Sequence, residues 1–487
     1  LTGEVRDGAD ALSGRNTETK ISRICRKVLK KAIPDDEEAR TTIAFSRSLE
    51  SRLQRELEKA GLKAEAHVEG SIAKDTWLAK EKDIDLFVLV PRACGREAFT
   101  DVLEVAKKVA GKEFLEAYAE HPYIQAEIEG FTIDFVPCFK LESTDQVESA
   151  VDRTPFHTSY IKKRLTAQAK NEVRLLKRFM RGTGCYGAEI KVGGFSGYLC
   201  ELLVLYYGGF MELLRAASNW QQGEIIDLEG QYQGREEEVR QIFREPLIIV
   251  DPVDIGRNVA SAVNPEKLNE FIAASRMFLS EPRDEFFYPK SAGLFSVDEL
   301  VQALDSRGSA FVFIQSEVAK TVPDVLWGQL YKSLRAMTKM MRRHGFAVMR
   351  DSVWSDEKSK VVFVFELDSH VLPAAEKHIG PPVSKKEDSE KFLKKYLKSE
   401  MALSGPRIEG DRWIVDRKRS HTNVVEFLRE KLGKGGKDTG IASLVSKAFS
   451  ASLNIWVNRE VKAFYSKNSA FASFLTEYVA GRLSWLR

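Results

Sequence analysis

Three aspartates stand where a folded chain ordinarily buries apolar surface. In "KDIDLFVLVP" Asp83 and Asp85 open a run that otherwise reads as a buried strand ended by Pro91, and in "FTIDFVP" Asp134 stands between Ile133 and Phe135. A strand has a side-chain period of two, so Ile84, Leu86, Val88 and Val90 share one face, and Asp83, Asp85, Phe87 and Leu89 the other. The first face is core. The second begins with two carboxylates one strand repeat apart, close enough to share a divalent cation, and if the Asp134 strand lies alongside, three carboxylates meet. Left unpaired they are costly, because like charges raise each other's pKa and burial disfavours ionisation. Magnesium reverses that sign: it takes hard oxygen ligands and keeps places for water and phosphate oxygens. Two such ions clamp the attacking and leaving oxygens of an in-line phosphoryl displacement. Asp83 and Asp85 are expected to bridge the ions, with Asp134 completing the site and accepting the proton of the attacking hydroxyl.

A D-x-D pair alone is more often the solvated face of an edge strand. Two neighbours tilt the balance. Gly70-Ser71 lies just upstream, where a tight turn into a helix offers backbone N–H groups and a hydroxyl to a phosphate. Lys74 follows within one helical turn and can meet the same phosphates. With the third carboxylate in its own apolar strand, the pattern points to phosphoryl or nucleotidyl transfer.

The elements that must position these groups are legible as patterns. Residues 16–62 carry apolar positions at helical spacing, with Pro34 between two segments and Gly61 at the end. "KAEAHVEGS" reads as a short strand into a glycine turn, "FTDVLEVAKKVAGKEF" as a helix, and "YIQAEIEGFTIDFVPCF" as two strands joined at Glu129-Gly130. Interleaved strands and helices make a mixed sheet with helices over 1–150. Helices dominate 151–280, and mixed strands and basic helices fill 281–487, so the fold class is α+β and multidomain, as 487 residues require. "KFLKKYLK", "DRKRSH" and "REKLGKGGK" are basic helices or loops in that last part.

The totals set bounds. Hydrophobic content of 43% with 30% charged residues is that of a globular protein, and no window reaches the roughly 18 uninterrupted apolar residues of a membrane helix. "LTGEVRDGADALSGRNTETK" is polar and mixed in charge, without the apolar core of a cleavable signal. Five scattered cysteines with no CxxC pair, and seven dispersed histidines, argue for a reducing cytoplasm and against zinc. Net charge is +3, but residues 1–150 hold 23 basic against 29 acidic side chains and the remainder 51 against 42. An acidic front with a basic back suits metal at one end and a polyanion along the rest.

"GSIAKDTWLAKEKDIDLF" resembles the signature of the DNA polymerase β-like nucleotidyltransferase superfamily, and more closely that of the class I, archaeal-type CCA-adding enzymes. "VDRTPFHTSYIKKRL", "NEVRLLKRFMRGTGCYGAEIKVGGFSGYLCELL" and "DPVDIGRNVA" are similar to that family's central segments. The likeness implies a catalytic nucleotidyltransferase head (1–150), a helical nucleotide-binding neck (151–280) and an α/β tRNA-binding body and tail (281–487). It implies rebuilding of the tRNA 3′ CCA end from CTP and ATP, with Mg2+, the acceptor arm of tRNA as partner and no membrane. A homodimer is suggested only by the likeness. Asp83, Asp85 and Asp134 match the metal-binding carboxylates, and Ser71 and Lys74 the phosphate-contacting positions. The family usually has Arg at position 74, and Lys keeps the charge without the bidentate fork. His157, Lys177 and Tyr186 match nucleotide-binding positions, and Arg257 resembles the base-discriminating arginine. By residue type alone, Lys177 reads as a solvated helix position, Tyr186 as a packing residue and His157 as a helix cap, and Arg257 as a surface ion pair no less readily than as a base reader. The competing functions are a poly(A) polymerase or oligoadenylate synthetase-like enzyme, and an inactive RNA-binding protein of the same fold.

Overall fold

The computed structural model describes residues 4–118 and 122–487, with side chains described over 17–116 and 122–487. It opens with α1 (Glu4–Ala32) and α2 (Asp36–Lys59), parted at Pro34. Asp35 starts α2 by accepting the backbone N–H groups of Glu37 and Glu38, two donors the first turn would leave unpaired. A five-stranded sheet follows, from β1 (Glu65–Val68), β2 (Asp83–Pro91), β3 (Phe114–Tyr118), β4 (Pro122–Ile128) and β5 (Phe131–Lys140) in spatial order β1-β2-β5-β4-β3. Within this sheet, among the described residues, only β2 and β5 pair in parallel. α3 (Gly70–Lys74) joins β1 to β2, and α4 (Glu97–Ala110) begins the crossover that makes the parallel pairing possible. The hairpin expected at Glu129-Gly130 is present, and both residues have positive φ as a two-residue turn requires.

The predicted alternation on β2 holds. Ile84, Leu86, Val88 and Val90 pack, with Ile133 and Phe135 of β5, under Leu53 and Leu57 of α2 and Val102 and Ala106 of α4. That leaves the opposite face of the sheet to the aspartates.

The middle of the chain supplies α5 (Thr154–Arg164), α6 (Ala167–Gly182), α7 (Gly197–Tyr207), α8 (Phe210–Ala217), α9 (Glu236–Ile242) and α10 (Pro265–Ser280). Their core gathers on Phe179, whose ring meets those of Phe210, Phe271, Phe278, Phe286 and Phe287. Ile21, Ile24 and Val28 of α1 are buried in this same core. The stretch expected to be dominated by helices also holds a three-stranded sheet, from β6 (Glu224–Asp227), β7 (Leu247–Asp251) and β8 (Asp254–Asn258). Strands of four or five residues are too short to show a period, which is why "EIID", "LIIVD" and "DIGRN" escape a periodicity reading.

By compactness the chain divides into residues 1–291 with 482–487, and residues 292–481. The last residues rejoin the first unit through Trp485, buried and stacked on Phe286. Among the described residues no single helix is long and apolar enough to cross a membrane; α7 with α8 passes only as a pair bent by 92°, and its apolar residues are core.

The second unit is built from α11 (Val297–Asp305), β9 (Ala310–Glu317), α12 (Pro323–Arg343), β10 (Val348–Ser355), β11 (Lys360–Leu367), β12 (Ala375–Pro382), α13 (Lys386–Tyr396), β13 (Ala402–Glu409), β14 (Arg412–Lys418), α14 (Val424–Leu432), α15 (Ser443–Ala451), β15 (Asn454–Val457), α16 (Lys462–Lys467) and α17 (Ser469–Ala480). An antiparallel sheet of order β10-β11-β9-β15 is covered on one face by α12, α14 and α15 and on the other by α11, α16 and α17. Burial on both faces explains the unbroken apolar runs "FVFI" and "VVFVF". A separate sheet, β12-β14-β13, packs on α13. The first half of "DRKRSH", expected as basic helix or loop, is the end of β14, and Arg417 and Arg419 are taken up by Glu376 at 2.6 and 3.0 Å.

Candidate active site

Parallel register sets Asp83 of β2 against Thr132 of β5 and Asp85 directly against Asp134. On β4, Gln125 faces Asp134 and donates Nε2 to its Oδ1 at 2.8 Å. The carboxylates thus share one sheet face, on strands about 4.8 Å apart. The approach of α3 is equally close. Gly70 has φ of +65°, and a Cβ there would lie 1.8 Å from Asp85 Oδ2, so only glycine lets the helix start against that carboxylate. Ser71, half-buried, follows in the first turn.

Electrostatics agree with this crowding. Burial, then the charges of Glu81 and Glu127, raises the Asp83 carboxyl, with Arg181 opposing. Burial and Asp83 raise Asp85 against the pull of Lys74 and Lys177. Asp134 is pushed up to about 6 by burial and by the charges of Asp85 and Asp83, against its hydrogen bond from Gln125. Acceptor-only oxygens whose ionised forms repel one another are the donor set a hard divalent cation suits, and the room over Asp85 Oδ2 left by Gly70 is in keeping with one. Among the described residues no three His, Cys, Asp or Glu side chains already stand at coordination distance, and Asp134 is engaged by Gln125.

Behind the carboxylates lies a buried cationic cluster. Lys74 is 7% exposed and donates to Glu201 Oε2 at 2.6 Å. Thr76 donates its hydroxyl to Glu201 Oε1 at 2.6 Å. Lys177 is 1% exposed, bonds the Thr76 carbonyl at 3.0 Å and lies 3.9 Å from Glu201. Lys177 is therefore no solvated helix position. It belongs to a stripe on α6, Lys170, Arg174, Lys177 and Arg181, spaced to fall on one helix face. These four hold the loop before β2 through Asp75, the Trp77 carbonyl, Thr76 and Glu81 respectively. Tyr186 is partly buried beyond α6; a Cβ on Gly197 would meet its hydroxyl at 3.2 Å and Lys177 Nζ at 3.5 Å, so both reach the start of α7.

A second cluster forms on Asp251, at the end of β7 and fully buried. Its Oδ2 meets His157 Nε2 at 2.9 Å and accepts Arg257 Nη1 at 2.7 Å, and its Oδ1 accepts the Tyr198 hydroxyl at 3.2 Å. His157 lies within α5 rather than capping it and stacks on Tyr198. Although burial pushes Asp251 up, His157 and Arg257 hold it below the usual carboxylate range. Lys74 lies over the Tyr198 ring at 5.8 Å, joining this cluster to the first.

The family model for the nucleotidyltransferase domain matches residues 50–157, that for the second domain of tRNA nucleotidyltransferase 171–288, and that for the C-terminal domain of the CCA-adding enzyme 307–456. A CCA-adding enzyme of Methanothermobacter thermautotrophicus is 38% identical over 440 residues, covering 88% of this chain and 92% of the relative. The chain belongs to the CCA-adding enzyme family. Another member, from Methanosarcina mazei, is 36% identical over 470 residues, covering 95% of this chain and all of its own. A solved cytoplasmic RNA terminal U-transferase aligns over 55% of this chain and 98% of its own at 20% identity and a TM-score of 0.42, a likeness too slight to build on. Nucleotidyltransferases of this kind generally depend on a divalent metal.

In this CCA-adding family member, sequence reasoning passed over Glu201, Asp251, Tyr198 and Gln125. Two left a signal: Glu201 is the lone charge in "GYLCELLVLYY" and Asp251 closes the apolar "LIIVD", the same anomaly that exposed Asp85. Glu201→Gln removes the carboxylate that stands within 4 Å of both buried ammonium groups. Breaking a buried pair costs roughly 3–5 kcal/mol, so a urea melt is expected to show a loss of that order; an unchanged midpoint would mean that Lys74 and Lys177 find other partners.

Proposed function

We propose that the chain adds and repairs the 3′-terminal CCA of tRNA, without a template, from CTP and ATP, releasing pyrophosphate. The observation that carries the chemistry is the register of Asp85 against Asp134 in parallel strands. Asp83, Asp85 and Asp134 would hold Mg2+, which supplies charge neutralisation at the triphosphate and a more acidic 3′-hydroxyl. Asp134, already drawn toward protonation by its neighbours, accepts the hydroxyl proton of the tRNA 3′ end. Ser71 and the backbone after Gly70 receive phosphate oxygens, with the charges of Lys74 and Lys177 behind them. His157 and Tyr186 orient the nucleotide. Arg257 offers its fork to the Watson–Crick edge of C or A, and a polar site rejects the mismatched edges of G and U strongly because its own groups are left unpaired.

The acceptor arm is A-form RNA, which is held through phosphates and 2′-hydroxyls rather than base sequence. The second unit offers a surface of that kind: Arg335, Lys339, Arg342 and Arg343 of α12 line an open cleft. The match of residues 307–456 to the C-terminal domain of the CCA-adding enzyme favours tRNA over a poly(A) substrate. The test is incorporation on tRNA lacking its terminal nucleotides. CTP alone should add two residues and stop, and ATP should then add one. Long A tracts made regardless of CTP would refute the reading. Sedimentation equilibrium tests the homodimer that the family likeness suggests.

The acidic limb of the pH profile follows from Asp134. Unfolded, its carboxyl titrates near 3.9; folded, near 6. Folding thus favours the neutral acid, so stability from this group is present at low pH and is lost as pH rises through 6. Activity runs the other way, because cation holding and proton acceptance both need the anion. Between pH 7 and 5 the rate is expected to fall, and the half-saturating Mg2+ concentration to rise by up to about tenfold per pH unit as one proton competes with the ion. A flat Mg2+ requirement across that range would remove Asp134 from the metal site.

A further inference from the structure

We infer that Asp251 is a positioning residue for nucleotide selection: its carboxylate fixes the plane in which Arg257 meets the base. The inference rests on Arg257 being the base-reading residue, as proposed above. Asp251 opens "DPVDIGRNVA", a segment similar to the family's, but the likeness assigned it no role, and the side chains around it converge on it. It is fully buried, and four groups occupy its two oxygens: Arg257 Nη1 at 2.7 Å and His157 Nε2 at 2.9 Å on Oδ2, the Tyr198 hydroxyl at 3.2 Å and the Val253 N–H at 3.1 Å on Oδ1. A carboxylate with that many partners has no freedom to rotate. Its environment is stiff as well, since the His157 ring stacks on Tyr198 with centroids 3.9 Å apart. The neighbouring turn is pinned from outside by Arg153 Nε on Asp254 Oδ2 at 2.6 Å.

Arg257 reaches solvent: its side chain is 30% exposed, and among the described residues its side chain hydrogen-bonds only through Nη1. A guanidinium is planar, so anchoring one Nη to an immobile carboxylate sets the direction of the remaining donors. Discrimination depends on that direction. A fork fixed in place leaves a wrong base with unmatched donors and acceptors, whereas a fork free to swivel can find the carbonyl of U or G and reward it. A buried ion pair that merely held the fold together would affect stability and overall rate but not the ratio between nucleotides.

The test measures kcat/KM for CTP and for UTP on tRNA lacking CCA, using the full chain carrying Asp251→Asn, Asp251→Glu or Arg257→Gln, with thermal melts to establish folding. Both Asp251 variants are expected to lose at least tenfold of the CTP-over-UTP preference, mostly through a gain in UTP use rather than a fall in kcat for CTP. Asp251→Glu retains the charge and displaces the guanidinium by one methylene, so it decides the matter if Asp251→Asn does not melt cooperatively. Wild-type preference in folded Asp251 variants, with relaxed preference in Arg257→Gln, overturns the positioning role alone. Wild-type preference in Arg257→Gln overturns the reading of Arg257 and the inference with it.

Discussion

Asp85→Ala is expected to lower the rate of nucleotide addition by at least about a hundredfold while tRNA binding is retained. Asp85 is the carboxylate with the most to lose. It pairs in register with Asp134, sits against the start of α3 at Gly70, and feels the charges of both Lys74 and Lys177. Removing it deletes an oxygen pair proposed to hold the metal and takes an opposite charge away from Lys74 and Lys177. Stability should move the other way. Burial and Asp83 raise the Asp85 carboxyl, so its ionised form opposes folding at neutral pH, and Asp85→Asn is expected to melt no lower than wild type in the absence of metal. Sites that hold like charges together for chemistry commonly trade stability for it. An unchanged addition rate in Asp85→Ala would reject the assigned role outright.

Gly70→Ala should be nearly as damaging, although it removes no functional group. Its Cβ would stand 1.8 Å from Asp85 Oδ2, a distance no two non-bonded heavy atoms tolerate, and the backbone there has φ of +65°. Either α3 or the Asp85 carboxylate must move, and a displacement of about 1 Å at a reacting centre can cost 100-fold in rate. Gly61→Ala is the matching control: φ is +71°, and a Cβ there meets nothing within 4 Å. It carries the same left-handed backbone cost of about 1–2 kcal/mol and should lower the melting temperature without touching kcat. Equal activity in the two variants would show that the approach of Gly70 to Asp85 is not part of the site.

Much of the site was legible because it violates local rules. Charges in an apolar strand are visible in a period of two, and the hairpin at Glu129-Gly130 announces itself by residue type. The small sheet carrying Asp251 and Arg257 was not legible, since its strands are too short to have a period. Nor was the use of α6: by residue type Lys177 passes for a solvated helix position, and nothing local marks Lys170, Arg174 and Arg181 as acting with it. In the fold the face these four share is turned toward residues 75–81, the loop before β2, and its charges hold that loop.

The chain alone determined which side chains share a face of β2, where the glycine turn into α3 must fall, and that three carboxylates had to be reconciled with burial. These are matters of neighbouring residues and of backbone geometry, which a few positions suffice to set. Tertiary structure decided that Asp85 meets Asp134 in a parallel register, that Glu201 serves two buried lysines, and that Asp251 gathers His157, Tyr198 and Arg257. Apart from the contact of Asp251 with Arg257, six residues on, each of those depends on elements separated by some tens of residues or more, brought together by the packing of cores rather than by any local preference, and one residue of slip between β2 and β5 would have set Asp85 beside an apolar neighbour instead.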